Sequence, residues 1–160
     1  MPPLKRREEL QALSEDHHNG LVIAVRCQRL AEGTFDADRS EFWASVTEFW
    51  RLQIAPHFEV EEEYLLPALR TLGEAEMAER IVREHVRLRA MIGETAPTNA
   101  QLLDFGQLLH DHIRYEERVV FASTQNLLDA NTLTEIRRAS FEIPQICPTT
   151  FRPLPRARAQ

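Results

Sequence analysis

Apolar side chains recur along this chain at three- and four-residue intervals, the spacing of helices that bury one face. The pattern never alternates over a whole segment, as it would in a half-buried strand, and the stretches between periodic segments are short. Gly33, Gly73 and Gly93 each follow such a segment, at a position where helices often end. The pattern predicts four helices and a short fifth, at about residues 15–31, 40–72, 74–92, 98–128 and 133–139.

Short connections between long helices favour neighbours that run in opposite directions. The predicted fold class is therefore all-α: an antiparallel, up-down-up-down four-helix bundle with a short extra C-terminal helix or tail. Residues 14–142 are expected to form the bundle, residues 1–13 a lead segment, and residues 143–160 an extended or disordered tail rich in proline and arginine. A length of 160 residues suits one such domain.

Local signals refine the helix ends. Ser14 precedes acidic residues and an apolar run, so it is expected to cap the first helix. Pro56 lies inside the second helix, and because proline lacks a backbone N–H, a kink or local break is expected just before His57. For the same reason Pro67 is expected to end the regular part of that helix early.

Charge and composition exclude several classes of protein. The formal net charge of -6 repels nucleic-acid phosphates, so no nucleic-acid partner is expected. Charged residues interrupt every apolar run before the roughly 18 residues needed to span a bilayer, so no membrane association is expected. Two distant cysteines, Cys27 and Cys147, and the lack of a signal-peptide pattern favour the cytoplasm.

Two segments of the chain repeat one another. Both read His-x-x-x-Glu-Glu before an apolar stretch, and they begin at His57 and His112. On a helix, residues four apart share a face, so each histidine and the glutamate four positions after it (Glu61 and Glu116) can direct an imidazole and a carboxylate to one point. Two such pairs facing each other across a bundle would hold two cations, with either carboxylate able to bridge them.

Histidines on the other two helices can add to these donors. His17 and His18 on the first helix point about 100° apart, so only one of them is expected to face the interior, and the pattern does not select it. His85 lies on the apolar stripe of the third helix. Buried imidazoles and carboxylates are unfavourable unless they are paired or bound to metal, so their convergence from four helices favours a metal site.

Three further polar residues are candidates to support these groups. Glu62 and Glu117 directly follow the proposed ligands and are expected to form salt bridges or to orient a neighbouring histidine. His110 points to a different side of its helix from His112, and we interpret it as a surface or supporting group.

The order of these motifs resembles the hemerythrin-like, or HHE cation-binding, domains. A histidine early in the first helix, His-x-x-x-Glu on the second, Glu-His on the third and His-x-x-x-Glu-Glu on the fourth carry the resemblance, over residues 14–128. It implies a non-haem di-iron centre, two iron ions joined by an oxo or hydroxo bridge, with Glu61 and Glu116 as bridging carboxylates. It also implies terminal histidine ligands: His17 or His18, His57, His85 and His112.

One position departs from the oxygen-carrying members of that family, which have a second histidine one turn after the third-helix histidine. Arg89 occupies this position here. The implied ligand set is then four histidines and two carboxylates, which leaves the centre more open than that of a reversible oxygen carrier. A further carboxylate, a solvent molecule, Tyr64 or Tyr115 can fill the open position.

Imidazole and carboxylate donors together suit iron, and two ferrous ions can each supply one electron to a small ligand. The leading hypothesis is a protein that binds dioxygen, nitric oxide, peroxide or iron itself, in sensing, iron handling or detoxification, rather than a dedicated enzyme. One alternative is a di-iron oxidase or peroxidase acting at the open position. The other is a helical interaction module whose metal site is structural or vestigial.

Overall fold

The computed structural model describes residues 4–93, 95 and 97–155. These residues are predominantly helical, which confirms the predicted all-α class. A 3₁₀ turn, Glu8–Leu10, leads directly into the first helix. The helices are α1 (Gln11–Glu32), α2 (residues 39–71), α3 (Ala75–Ile92), α4 (residues 99–124) and α5 (Ala130–Phe141).

The helix ends follow local chemistry at most positions. The side chain of Asp38 accepts a hydrogen bond from the Glu41 N–H at the start of α2, and Thr98 forms a capping box at the start of α4. The capping role predicted for Ser14 is wrong, because α1 begins earlier, at Gln11. Leu10 and Leu13 are both fully buried, so packing holds this extra turn in the helix.

Two of the helices contain π-helical turns. In α2, such turns precede Pro56 and Pro67, so the irregularity expected just before His57 is present. The early end expected at Pro67 is wrong, because the helix continues to Thr71; a wider turn ahead of a proline lets the chain continue despite the missing N–H. The regular and π-helical parts of α2 are Arg39–Phe49, Trp50–Ile54 (π), Ala55–Val60, Glu61–Leu65 (π) and Leu66–Thr71, and those of α4 are Asn99–Tyr115, Glu116–Val120 (π) and Phe121–Thr124.

The core consists of two apolar clusters with a polar layer between them. On α1, for example, Leu13 belongs to one cluster and Ile23 to the other, and His17 lies between them in the chain. Helices α1 and α4 approach closely: a Cβ atom at Gly106 would lie 2.6 Å from the carbonyl oxygen of Ala24. This close contact brings polar residues of the two helices within reach of one another.

The C-terminal region is more ordered than the expected tail. Strand β1 (Gln145–Ile146) pairs antiparallel with β2 (Pro153–Leu154), and Ile143 and Ile146 are buried. The Ile146 N–H donates a 2.8 Å hydrogen bond to Gln53 of α2, which ties this strand pair to the helices. The last part of the predicted tail, residues 156–160, lies outside the described residues. Every helix in the described ranges is too short or too polar to cross a lipid bilayer.

Candidate metal centre

Six polar side chains from four helices converge in the layer between the apolar clusters. Each is at most 3% exposed to solvent, which is unusual for imidazoles and carboxylates. They are His17 from α1, His57 and Glu61 from α2, His85 from α3, and His112 and Glu116 from α4. Burial of this many polar groups requires partners that offset the loss of water.

The six side chains form two overlapping groups of four. Within each group, one nitrogen or oxygen atom per residue lies within 4.8 Å of the others, close enough to surround a single cation. We call them the His17 half (His17, His57, Glu61 and Glu116) and the His85 half (His85, His112, Glu61 and Glu116). Both glutamates belong to both halves, so they lie where bridging ligands would lie.

The histidine Nε2 atoms face the two shared carboxylates. The Nε2 atoms of His17 and His57 lie 3.0 Å apart, and that of His57 lies 2.9 Å from a Glu61 oxygen. In the other half, His85 Nε2 lies 3.2 Å from Glu61 and His112 Nε2 lies 3.4 Å from Glu116. Nitrogen lone pairs and carboxylate oxygens therefore crowd one small volume, where a positive charge would relieve their repulsion.

The opposite nitrogen of each ring, Nδ1, contacts a second carboxylate. Each of these outer carboxylates lies on the helix that precedes the histidine's own helix, and α4 closes the ring onto α1. The Nδ1–oxygen pairs are Asp16–His57 (3.1 Å), Glu62–His85 (2.8 Å), Glu84–His112 (2.8 Å) and Glu117–His17 (2.6 Å). In a neutral imidazole this contact holds the proton on Nδ1 and leaves the Nε2 lone pair directed inward, as metal-binding histidines require.

Arginines hold three of the outer carboxylates. Arg6 pairs with Glu117 at 2.8 Å, and Arg80 pairs with Glu84 at 2.9 Å. Arg89 donates two hydrogen bonds to Glu62, at 2.7 and 3.1 Å. The position where oxygen carriers have a further histidine thus supports an outer carboxylate, and its side chain adds no donor to the centre.

Several inner atoms lie at ion-pair distances from one another but make no hydrogen bond of ordinary geometry. Within the described residues, both carboxylate oxygens of Glu61 and of Glu116 and the Nε2 atoms of His85 and His112 are buried without a hydrogen bond. Such atoms are rare in folded proteins and mark a bound group or a functional site. Four imidazoles and two carboxylates form a donor set that suits a transition-metal cation, so these residues fit a pair of iron ions.

The acidic surroundings raise the pKa of His17, His57 and His85 and so favour positive charge on these three rings. Burial disfavours a charged imidazole, but the carboxylates of Glu61 and Asp16 outweigh it and raise the pKa of His57 to about 9. The hydrogen bond from His85 lowers the pKa of Glu62 to about 2, against the smaller opposite effect of burial. The centre therefore stabilises positive charge, carried either by protons or by a metal cation.

Two phenylalanines line the inner rings. Phe58 stacks on His85 with the ring centroids 3.6 Å apart, and Phe121 stacks on His17 at 5.6 Å. Both phenylalanines are at most 2% exposed. They limit the rotation of the two imidazoles and keep water away from them.

The structure separates the candidates that the sequence left together. His17 faces the centre, whereas its neighbour His18 is exposed and lies outside the cluster, which corrects its inclusion among the candidate ligands. His110 contacts Asp111 near the surface, so it supports none of the inner groups. Glu62 and Glu117 both contact histidines of the cluster.

The two tyrosines that were alternatives for the open position lie elsewhere. The hydroxyl of Tyr64 accepts a hydrogen bond from Arg138, and the ring of Tyr115 packs under the guanidinium of Arg80. Asp16 and Glu84 were not anticipated as partners of histidines. Both directly precede an inner histidine, so carboxylate–histidine pairs in the chain were the available signal.

This arrangement defines a helical metal-binding protein with two overlapping histidine and carboxylate groups. The family model described as "Hemerythrin HHE cation binding domain" matches residues 7–123, and the chain belongs to this family. Neither a curated protein nor a solved structure shows significant similarity to the chain.

Proposed function

We propose that this chain is a hemerythrin-like protein that holds two non-haem iron ions between helices α1 to α4, which run as antiparallel neighbours in an up-down-up-down bundle. Glu61 and Glu116 would bridge the two ions, and two histidines would complete each half. When bound, the iron pair supplies a redox-active site for a small ligand such as dioxygen, nitric oxide or peroxide.

The observation that carries this proposal is the set of buried donor atoms without hydrogen bonds, above all the four carboxylate oxygens of Glu61 and Glu116. Without a cation, these oxygens would face each other and the imidazole nitrogens in a medium of low polarity. Among the described residues, no cysteine belongs to either group of donors. Cys27 is buried in an apolar region, which raises the pKa of its thiol to about 12 and so disfavours the thiolate. Imidazole and carboxylate donors without thiolate favour iron over metals that prefer sulfur.

The chain itself would orient the donors and exclude water. The ring of outer carboxylates holds each imidazole with Nε2 inward, and Phe58 and Phe121 cover two of the rings. Because the donors are already arranged, little side-chain order has to be gained when a cation binds.

Metal analysis with optical titration tests the proposal. After anaerobic loading with Fe²⁺, we expect about two irons per chain and a spectrum that changes on addition of dioxygen or nitric oxide. His17→Ala should lower the iron content. His18→Ala is a matched control, because His18 is exposed and its replacement should leave the iron content unchanged. Fewer than about one metal per chain after iron-replete expression would refute metal binding, and one metal per chain would refute the two-ion centre.

A second candidate function, a di-iron oxidase or peroxidase, is favoured by the number of donors. Each half offers four protein donors, two of which are shared with the other half. Histidine and carboxylate sets with open positions are typical of iron sites that activate oxygen. Steady turnover of hydrogen peroxide that Glu116→Ala abolishes would support this function, whereas a stable complex with dioxygen and no turnover would favour the binding protein.

A further inference from the structure

The two halves of the centre are built from different helices. The four residues of the His17 half lie on α1, α2 and α4. The His85 half takes one of its residues, His85, from α3. A movement of α3 away from the other helices would therefore remove an inner donor from the His85 half and none from the His17 half.

Helix α3 also supports the second histidine of the His85 half. Glu84 of α3 contacts the Nδ1 atom of His112 at 2.8 Å. In the His17 half, the corresponding carboxylates are Asp16 on α1 and Glu117 on α4. Opening of α3 would thus withdraw His85 from the His85 half and remove the carboxylate that orients His112. The His17 half would keep its donors and its outer carboxylates.

Of these four helices, α3 has the smallest fraction of buried residues. Four of its 18 residues are buried, compared with nine of the 22 residues of α1. Since buried apolar contacts hold an element in place, the free energy of local opening should be lowest for α3.

The exposure of the outer carboxylates also singles out His85. The side chains of Arg89 and Glu62, next to His85, are 38% and 34% exposed. Asp16, next to His57, is 0% exposed. Of the other two outer carboxylates, Glu117 is 20% exposed and Glu84 is 13% exposed. Water and dissolved ions therefore reach the outer contact of His85 more readily than that of any other inner histidine.

We propose that the two cation positions differ in lability: local opening of α3 exchanges the cation of the His85 half, while the cation of the His17 half stays bound. The inference rests on the proposed two-ion centre and specifies which of its two cations exchanges. The centre would then pass through a state with one cation, held by His17, His57, Glu61 and Glu116. The cation concerned is ferrous iron or a divalent cation with similar ligand preference.

Release of iron to a chelator tests the inference. Protein loaded anaerobically with two Fe²⁺ per chain is mixed with an excess of a chromogenic ferrous chelator, and the absorbance is followed. We expect two phases of equal amplitude whose rates differ by at least about tenfold, because the two openings differ in free energy.

A matched pair of variants identifies the helix that opens. Ile81 on α3 and Ile23 on α1 are both fully buried, and replacing either with valine removes one methylene group. We expect Ile81→Val to accelerate the fast phase by about fivefold. Ile23→Val should leave the fast phase unchanged.

A second pair assigns the phases to the halves without loosening a helix. Glu84→Gln removes the carboxylate next to His112, and Asp16→Asn removes the one next to His57. We expect the first substitution to accelerate the fast phase and the second to accelerate the slow phase. The reverse assignment would overturn the inference even if both isoleucine variants folded poorly.

The outcomes separate this inference from the proposed function. Release in a single phase, or equal acceleration of the fast phase by Ile81→Val and Ile23→Val, would overturn the inference and leave the two-ion centre standing. A wild-type chain that binds one iron or none would overturn the two-ion centre and the inference with it.

Discussion

The segments that begin at His57 and His112 share a motif and also a backbone irregularity. In each, the inner glutamate is the first residue of a π-helical turn, Glu61–Leu65 or Glu116–Val120. Only the first of these turns precedes a proline, Pro67, so proline is not needed to form one. The turn therefore accompanies the inner glutamate, as π-helical turns often accompany functional residues.

The two segments differ in what surrounds their second glutamate. Glu62 contacts His85 and pairs with Arg89, and its side chain is 34% exposed. Glu117 contacts His17, accepts a hydrogen bond from Ser14 and is 20% exposed. The same local motif therefore contributes to the centre twice, and the neighbouring helices determine the contacts and the exposure of each second glutamate.

The largest expected effect follows from removing the inner glutamate of either segment. Because Glu61 and Glu116 belong to both halves, Glu61→Ala and Glu116→Ala should each reduce the iron content from about two per chain to one or none. Metal analysis of the purified variants measures the effect. Full iron content in either variant would show that its glutamate is not a shared ligand.

A smaller effect is expected for the outer glutamates. Glu62→Gln and Glu117→Gln keep the size of the side chain but remove the charge that orients His85 or His17. Each should weaken metal binding by about 10- to 100-fold, the usual effect of an outer carboxylate. Competition with a chelator gives the affinities, and unchanged values for both variants would show that the ring of carboxylates does not tune the site.

Protonation of His57, in the first segment, should make the stability of the metal-free fold depend on pH. Since the pKa of His57 is raised to about 9, its protonated form stabilises the metal-free fold below its unfolded pKa of about 6.5. This contribution is lost as the pH rises from about 6.5 through about 9. Chemical unfolding of the metal-free chain across this range should show decreasing stability, and His57→Gln should reduce the slope.

The same protonation links metal binding to proton release. At pH 7 a cation must displace the proton from His57, so binding should release protons. Calorimetry in buffers with different ionisation enthalpies counts them. A binding enthalpy that does not depend on the buffer would contradict the raised pKa.

The smallest effect is expected at the position two residues before each segment. His110 precedes the second segment, and the corresponding residue of the first is Ala55, so His110→Ala makes the segments more alike. Because His110 lies near the surface, where its Nδ1 contacts Asp111, the change should leave the iron content unaltered and shift the unfolding free energy by less than about 0.5 kcal/mol. A loss of iron would place His110 among the supporting groups after all.

Most helices and inner residues were predictable because they depend on local spacing. Asp38 and Thr98 are residue types that often begin helices, and each caps a helix whose apolar spacing the sequence shows. The pairing of Glu84 with His112 was not predictable in the same way. Residues 28 positions apart meet only through the relative rotation of two packed helices, which local periodicity does not contain.

Helical spacing alone places His57 with Glu61, and His112 with Glu116, on one face of a helix. Helical spacing is a property of the backbone and needs no partner. By contrast, His17 rather than His18 faces the centre, and Arg89 binds Glu62, only because of the way the helices pack together. These choices depend on how neighbouring helices pack, because burial favours only one rotation of each helix and leaves the other side in water.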